Sequence, residues 1–382
     1  MLRYKCQLRN KVSIFTHSTD SGILHRGHFC FLQRGPISDP SSGPAYVTNL
    51  DCQLLESFDP LAGFKVSYLH RKIKNKPSLW INDPVQLKTY ASNAGQGETQ
   101  RTMAASKTLK PCSDTPPNLV GPIHVDFNSA RTLDEVREES GSPLQEGGWY
   151  KPPDCIAKQK VAIIIPFRNR HEHLKHWLYY LHPILMRQQL NYRVYVINQD
   201  GDGVFNRAKL MNVGCFEALK EYDFDCFVFS DIDLVPMDDR NLYRCFNNPR
   251  HLSVAVDKFN FKLPYEEIFG GVISLSKKQY LKMNGFPNTF WGWGGEDDDI
   301  YQRIMNHGMS ISRPDMVTGK YKMIKHKRDV QNHCNPRNVA KLKQTKNTMD
   351  KDGINSLKYT VKETVKDKLY TYINVNIGLH LF

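Results

Sequence analysis

Absences narrow this chain first. Its 382 residues contain no uninterrupted apolar run of about 18, so the sequence offers no transmembrane helix. The opening ten residues lack the apolar core of a signal peptide. Nine cysteines are present, yet none form Cys-x-x-Cys, which removes the commonest zinc frameworks. No internal repeat occurs, and no nucleic-acid reader motif accompanies the basic residues. Residues 1–110 show little hydrophobic periodicity and are rich in Ser, Gly, Pro, Asn and Gln, which reads as a low-order stem or linker.

The remainder has an ordinary folded composition, 40% hydrophobic and 24% charged, with room for one large domain and a tail or for two small domains. Net charge is +13, and much of the excess lies in a lysine-rich segment between Lys320 and Lys368. The lysines are dispersed, so the charge suits an anionic small molecule such as a nucleotide diphosphate better than nucleic acid. Four cysteines are spaced as possible pairs, Cys112 with Cys155 and Cys226 with Cys245. Pairing would place the chain in a secretory compartment, and free thiols would suit the cytosol. Pairing without a visible leader would require a longer N-terminus or an unusual route.

Order begins near Pro111. The apolar run 161–165 reads as a buried strand ended by Pro166. Leu174, Leu178, Leu181 and Leu185 give an amphipathic helix over 171–188. A strand at 194–197, a helix over 206–220 with Asn206 as its cap, and a strand at 226–230 follow. This alternation predicts an α/β fold with a mostly parallel central sheet and helices on both faces.

Two acidic elements sit on that framework. Residues 291–299 read Trp-Gly-Trp-Gly-Gly-Glu-Asp-Asp-Asp, followed by Ile300 and Ile304 at helical spacing. Four adjacent carboxylates repel one another. A helix N-terminus starting there would relieve them, and a site needing a base and sugar-directed acceptors would use them. Indole faces beside carboxylates also suit a sugar, although aromatic core behind an acidic first turn is the plainer alternative. The second element, Asp231-Ile-Asp233, follows the strand 226–230 and so stands where open α/β sheets bind ligands. A carboxylate there can hold a divalent cation, and the cation can neutralise a diphosphate. Basic groups complete the picture. Arg168 and Arg170 follow the first strand, and Arg207 opens the second helix, each able to fork onto phosphate oxygens. His326, in Met323-Ile-Lys-His326, is a candidate metal ligand beside Asp233.

The ordered set of 161–170, 205–210, 227–234, 269–271, 285–287, 291–299 and 323–326 closely resembles the β-1,4-galactosyltransferase family, glycosyltransferase family 7, over about 111–349. The resemblance implies a GT-A fold in a catalytic domain over 111–382, with core motifs in 155–349, and a Mn²⁺-dependent, inverting transfer from UDP-galactose or UDP-GalNAc to a terminal GlcNAc. It implies a metal site of Asp233, Met323 and His326. It assigns donor binding to Pro166, Phe167, Arg168, Asn169, Arg170, Phe205, Asn206, Arg207, Ile232, Asp233, Trp293 and His326. It assigns sugar contacts to Gly295, Glu296, Asp297, Asp298 and Ile268, with Asp297 as catalytic base. It maps disulfides onto Cys112–Cys155 and Cys226–Cys245, and it carries the expectation of a type II membrane protein of the Golgi, although no anchor is visible. Gly292, Gly294 and Gly295 would let the tryptophan loop swing, and residues 319–349 would close as a lid.

Two positions depart from the family pattern. Ile268 stands where vertebrate members carry tyrosine, and a smaller side chain makes room for an N-acetyl group on the donor sugar. Asn338-Val339 replaces an Arg-Phe pair near the acceptor's N-acetyl group. A catalytically silent sugar-binding relative is the alternative, countered by the presence of every expected ligand and base. The xylose-acceptor branch is disfavoured by the four matched cysteines.

Overall fold

The computed structural model describes residues 109–327 and 329–379. The expected stem, residues 1–110, lies outside the described residues except for Leu109 and Lys110. Helix α1 (Leu133–Gly141) begins with a capping box between Thr132 and Glu135. Then β1 (Lys160–Phe167), α2 (His171–Arg187), β2 (Asn191–Gln199), α3 (Arg207–Glu221) and β3 (Cys226–Ser230) alternate as the sequence predicts. The chain continues through β4 (Leu234–Pro236), β5 (Arg250–His251), β6 (Ala255–Val256), β7 (Val272–Ser276), α4 (Lys277–Lys282), α5 (Glu296–Asn306) and β8 (Lys320–Met323). Short helices α6 (Arg337–Leu342) and α7 (Thr345–Thr348) precede β9 (Thr360–Lys366) and β10 (Thr371–Asn376).

Seven strands form one sheet in the order β5-β7-β3-β1-β2-β10-β9. The central four, β3, β1, β2 and β10, are mutually parallel, and β7 and β9 run against them. The apolar run of β1 is explained by burial on both faces. Ala162 and Ile164 point into one hydrophobic cluster with α3, and Val161, Ile163 and Ile165 into a second with Trp177, Leu178 and Leu181 of α2. A separate three-stranded sheet, β4-β8-β6, lies beyond the end of β3.

One boundary differs from the sequence reading. Pro166 does not end β1, because the strand runs through Phe167 with Pro166 opposite Ile197 of β2. Pairing with β3 stops at Ile164, so one side of β1 is already an edge at the proline, where a missing N–H is tolerated. Asn206 caps α3 as expected, its side chain accepting from the Lys209 N–H at 2.9 Å. Cys112 is bonded to Cys155 and Cys226 to Cys245, while Cys215 is buried and free. The second disulfide anchors the first residue of β3 to the segment before β5. Among the described residues no helix is long and apolar enough to cross a membrane.

Candidate active site

The chain leaves β1 and β3 at the same end of the sheet, and the expected residues gather there. Asp231 follows β3 directly, and its backbone N–H donates to the Gly271 carbonyl at 3.1 Å. Its carboxylate accepts from Arg207 Nε at 2.6 Å. Burial pushes the Asp231 carboxyl up to about 6, against the pull of Arg207, with the charges of Asp233 and Asp297 adding to the rise. Arg207 also reaches Glu296 Oε1 with Nη1 at 3.5 Å. Burial works against the Arg207 charge, but Asp231 and Glu296 outweigh it and hold the guanidinium above its ordinary range. One arginine at the start of α3 therefore joins the end of β3 to the first turn of α5.

Asp233 lies two residues on, buried, with Oδ2 at 3.1 Å from His326 Nε2. The pairing of β4 with β8 brings them together, since Leu234 stands opposite Met323 and the Ile324 N–H donates to the Asp233 carbonyl at 2.8 Å. The Asp233 contact raises the His326 pKa. Nδ1 of His326 meets the Lys327 carbonyl at 2.7 Å and the Arg170 guanidinium at 2.8 Å. Asp233 Oδ2 accepts from a protonated Nε2, and once that proton leaves, the same nitrogen would offer its lone pair to a metal beside the carboxylate.

Donor atoms on one octahedral cation sit about 3 Å apart when their bonds are roughly 2.1 Å long, so the Asp233–His326 spacing fits a shared divalent ion. Met323 packs against the hydrophobic cluster beside β4, and its thioether is a soft donor for such an ion. Among the described residues no group of three or more His, Cys, Asp or Glu is placed to hold a metal, so the candidate set is one carboxylate, one imidazole and the thioether.

The basic residues after β1 divide. Arg168 Nη1 donates to the Gly203 carbonyl at 2.5 Å, and its guanidinium lies 5.0 Å from the Phe205 ring centre. Burial lowers its pKa. Arg170 instead pairs with Asp329 at 2.8 Å and with His326. Asn169 between them adopts a left-handed φ of 52° and turns the chain sharply off β1. Pro166 and Phe167 are buried strand residues, and Ile232 is buried between the two aspartates. The Phe205 carbonyl accepts from the Gly292 N–H at 2.8 Å, which ties this corner to the tryptophan loop.

Glu296, Asp297, Asp298 and Asp299 all occupy the first turn of α5, so the four carboxylates do meet the positive end of a helix. Gly295 caps the helix at φ 95°, a conformation that favours glycine. Across from it, a Cβ on Gly270 would stand 2.7 Å from Asp297 Oδ2, so residue 270 must lack a side chain for Asp297 to hold this place. Ile268, two residues earlier, is half-buried, and its carbonyl accepts from Arg313 Nη2 at 3.0 Å. Trp291 is buried, and Trp293 is 37% exposed at the rim.

Sequence reasoning did not foresee the partners of three groups now at the site. Asp231, the first residue of the Asp-x-Asp pair, carries the contact to Arg207. Tyr265 Oη donates to Asp298 Oδ1 at 2.9 Å from 33 positions upstream, and no local pattern announces it. Asn338 lies under the tryptophan loop and donates to the carbonyls of Trp291 and Gly294.

Comparison with known proteins finds relatives of one family. Residues 112–246 match the N-terminal region of glycosyl transferase group 7, and residues 250–327 match a region described as the N-terminal domain of galactosyltransferase. Mouse β-1,4-galactosyltransferase 1 is 59% identical over 271 residues, 71% of this chain and 68% of the mouse protein. The human protein of the same name is 56% identical over 288 residues, 75% of this chain and 72% of its own. A solved structure of a mutant Drosophila β-1,4-galactosyltransferase 7, in complex with manganese, UDP-Gal and xylobiose, aligns at a TM-score of 0.50 and 28% identity. It covers 58% of this chain and 95% of that one.

Proposed function

The chain belongs to the group 7 glycosyltransferases, the β-1,4-galactosyltransferase family, and from that premise we propose that it moves galactose or N-acetylgalactosamine from a UDP-sugar in β-1,4 linkage to terminal GlcNAc, with inversion and with Mn²⁺ as cofactor. The observation that carries this reading is the bridge made by Arg207. It ties the Asp231 end of β3 to the first turn of α5, so a donor held at the strand ends meets an acceptor held at Asp297.

In this reading Asp297 accepts the proton of the acceptor hydroxyl as that oxygen attacks the anomeric carbon opposite UDP. The bond to the diphosphate breaks, its electron pair leaves with UDP, and the anomeric centre passes through an oxocarbenium-like state. Asp233, Met323 and His326 would hold the cation, which neutralises diphosphate charge when bound. Arg207 adds a fixed positive group on the same side, in a buried setting where it acts strongly. Trp293 offers an indole face to a sugar, and Glu296 and Asp298 offer acceptors to its hydroxyls. The close human and mouse relatives are named as galactosyltransferases, which supports galactose as a donor. Ile268 supports UDP-GalNAc as well, because it is smaller than the tyrosine expected beside the sugar C2. The two disulfides support a luminal compartment, and we place the protein in the Golgi lumen as a membrane-anchored enzyme.

The test is an assay of the purified protein with Mn²⁺ and GlcNAc, with UDP-Gal and UDP-GalNAc in parallel and a chelator control. Transfer that stops on chelation is expected. Full transfer in excess chelator would remove the metal from the reading, and no transfer from either donor would remove the activity.

A further inference from the structure

The turn that presents Trp293 is gripped by two asparagine amides. Asn338, the second residue of α6, is 2% exposed. Its Nδ2 donates to the Gly294 carbonyl at 2.8 Å and to the Trp291 carbonyl at 3.2 Å. Asn335 Nδ2 donates to the same Trp291 carbonyl at 2.9 Å. Backbone bonds add to the grip, from the Trp293 N–H to the His333 carbonyl at 2.9 Å and from the Asn335 N–H to the Trp293 carbonyl at 3.3 Å.

The two carbonyls held by Asn338 flank Gly292 and Trp293. Gly294 leads directly into Gly295, the cap of α5, so a single NH₂ group spans the turn and links the indole to the helix turn bearing Asp297. Using both amide hydrogens leaves Oδ1 buried without a hydrogen-bond partner among the described residues. An apolar side chain of similar shape would spare that orphan but would take the amide donor away from the Gly294 and Trp291 carbonyls, so what the asparagine supplies here is its hold on the turn. The unpaired oxygen is an exception that asks for an explanation.

We propose that Asn338 is a positioning residue for the acceptor: it clamps the 291–294 turn so that Trp293 stands beside the first turn of α5. The proposal rests on the reading that Trp293 and Asp297 meet the acceptor sugar. Val339, next on α6, is 38% exposed, and a valine side chain has no group to donate to the turn. The clamp belongs to the amide rather than to the helix.

The test uses the full chain and three variants. Asn338→Asp keeps the shape but replaces the donor with an acceptor facing two carbonyls, Asn338→Ala removes the group, and Val339→Ala is the control. Trp293 emission is isolated by subtracting the spectrum of the same protein carrying Trp293→Phe, in ligand-free samples shown to be folded by circular dichroism. Asn338→Asp is expected to shift that emission to the red and to make it easier to quench with acrylamide, with Val339→Ala unchanged. If the Asp variant fails to fold, Asn338→Ala carries the same expectation. In the assay the acceptor KM should rise about tenfold, the effect of losing two ordinary hydrogen bonds, with donor KM and metal requirement unchanged.

Unchanged Trp293 emission in the folded variant would overturn the clamp, whatever the kinetics. Shifted emission with an unchanged acceptor KM would overturn its role in acceptor recognition. In that second case, if Trp293→Phe alone also left the acceptor KM unchanged, the placement of the acceptor at Trp293 would be what failed.

Discussion

Asp231 and Asp233 leave the end of β3, a five-residue strand buried along its whole length and paired with β1 on one side and β7 on the other. Trp293 and Asp297 stand instead on a glycine turn and the start of a helix that belong to no sheet, held by asparagine amides and a buried ion pair. The half proposed to bind the donor takes its backbone course from strand pairing. The half proposed to bind the acceptor depends more on particular side chains far apart in the chain. Arg303 shows this best. It is 0% exposed, pairs with Asp299 at 2.6 Å and donates to the carbonyls of Met283, Gly285, Met349 and Asp352. Thr345 closes the set by donating to Asp299 at 2.6 Å. Small substitutions should therefore disturb the acceptor half more than the donor half.

The sharpest test of that contrast separates chemistry from binding. Asp297→Asn should lower turnover by roughly 10²–10⁴-fold, the usual contribution of a general base, while UDP-sugar binding stays nearly intact. Steady-state kinetics with calorimetric titration of the donor would show it, and near-normal turnover would remove Asp297 from the role.

Next in size is the buried pair behind it. Arg303→Met leaves Asp299 buried without its partner, and breaking such a pair costs about 3–5 kcal/mol. Burial already raises the Asp299 pKa against the pull of Arg303. Urea unfolding should report the loss, and adding Asp299→Asn should recover part of it. A loss below about 1 kcal/mol would mean that the acceptor half does not lean on this pair.

Donor choice tests the wall between the halves. Ile268→Tyr should shift the kcat/KM ratio toward UDP-Gal by on the order of tenfold, because a bulkier ring closes the space for an N-acetyl group. The metal requirement should not change. A wild-type protein that strongly prefers UDP-Gal, with the ratio unmoved by the substitution, would show that residue 268 does not govern the donor.

The smallest effect is acid sensitivity, with one buried histidine behind each half. His182, between the Tyr192 hydroxyl and the Leu369 carbonyl, is lowered by burial to about 4. His251, behind Gly270 and beside Arg313, is lowered by burial to about 3. Both stay neutral in the fold while the unfolded chain takes up protons near pH 6.5, so stability is complete above that pH and falls as pH drops toward 4. The slope approaches about 1.4 kcal/mol per pH unit for each histidine. Asp231 works the other way, since its raised pKa makes the fold bind a proton more readily than the unfolded chain through the window up to about 6. Burial lowers His173, to about 4, and His176 in the same sense, while Asp299 and His326 are raised as Asp231 is. Four groups against three leave a net loss in acid, and urea midpoints that did not fall between pH 6.5 and 5 would contradict it.

Much of the donor half was legible because its signals are local. The strands at 161–167 and 226–230 are short apolar runs, Asn206 is a cap by residue type, and an Asp-x-Asp after a buried strand has a defined place in an α/β sheet. Pro166 misled only at the boundary, because a sequence does not show where the neighbouring strand stops. The acidic run at 296–299 was legible as a helix start. Its supports were not. Tyr265 reaches Asp298 across 33 residues, Thr345 reaches Asp299 across 46, and Gly270 becomes indispensable only once Asp297 is packed against it.

The sequence by itself determined the class of fold, the pairing candidates among the cysteines and the residue types of the site, because periodicity, capping and motif order are properties of neighbouring residues. Tertiary structure alone decided that Arg207 spans from Asp231 to Glu296, that His326 faces Asp233, and that Asn338 grips the turn of Trp293. Those contacts join segments 24 to 93 positions apart. Side chains so separated meet only because strand pairing and two buried cores have already brought their elements together.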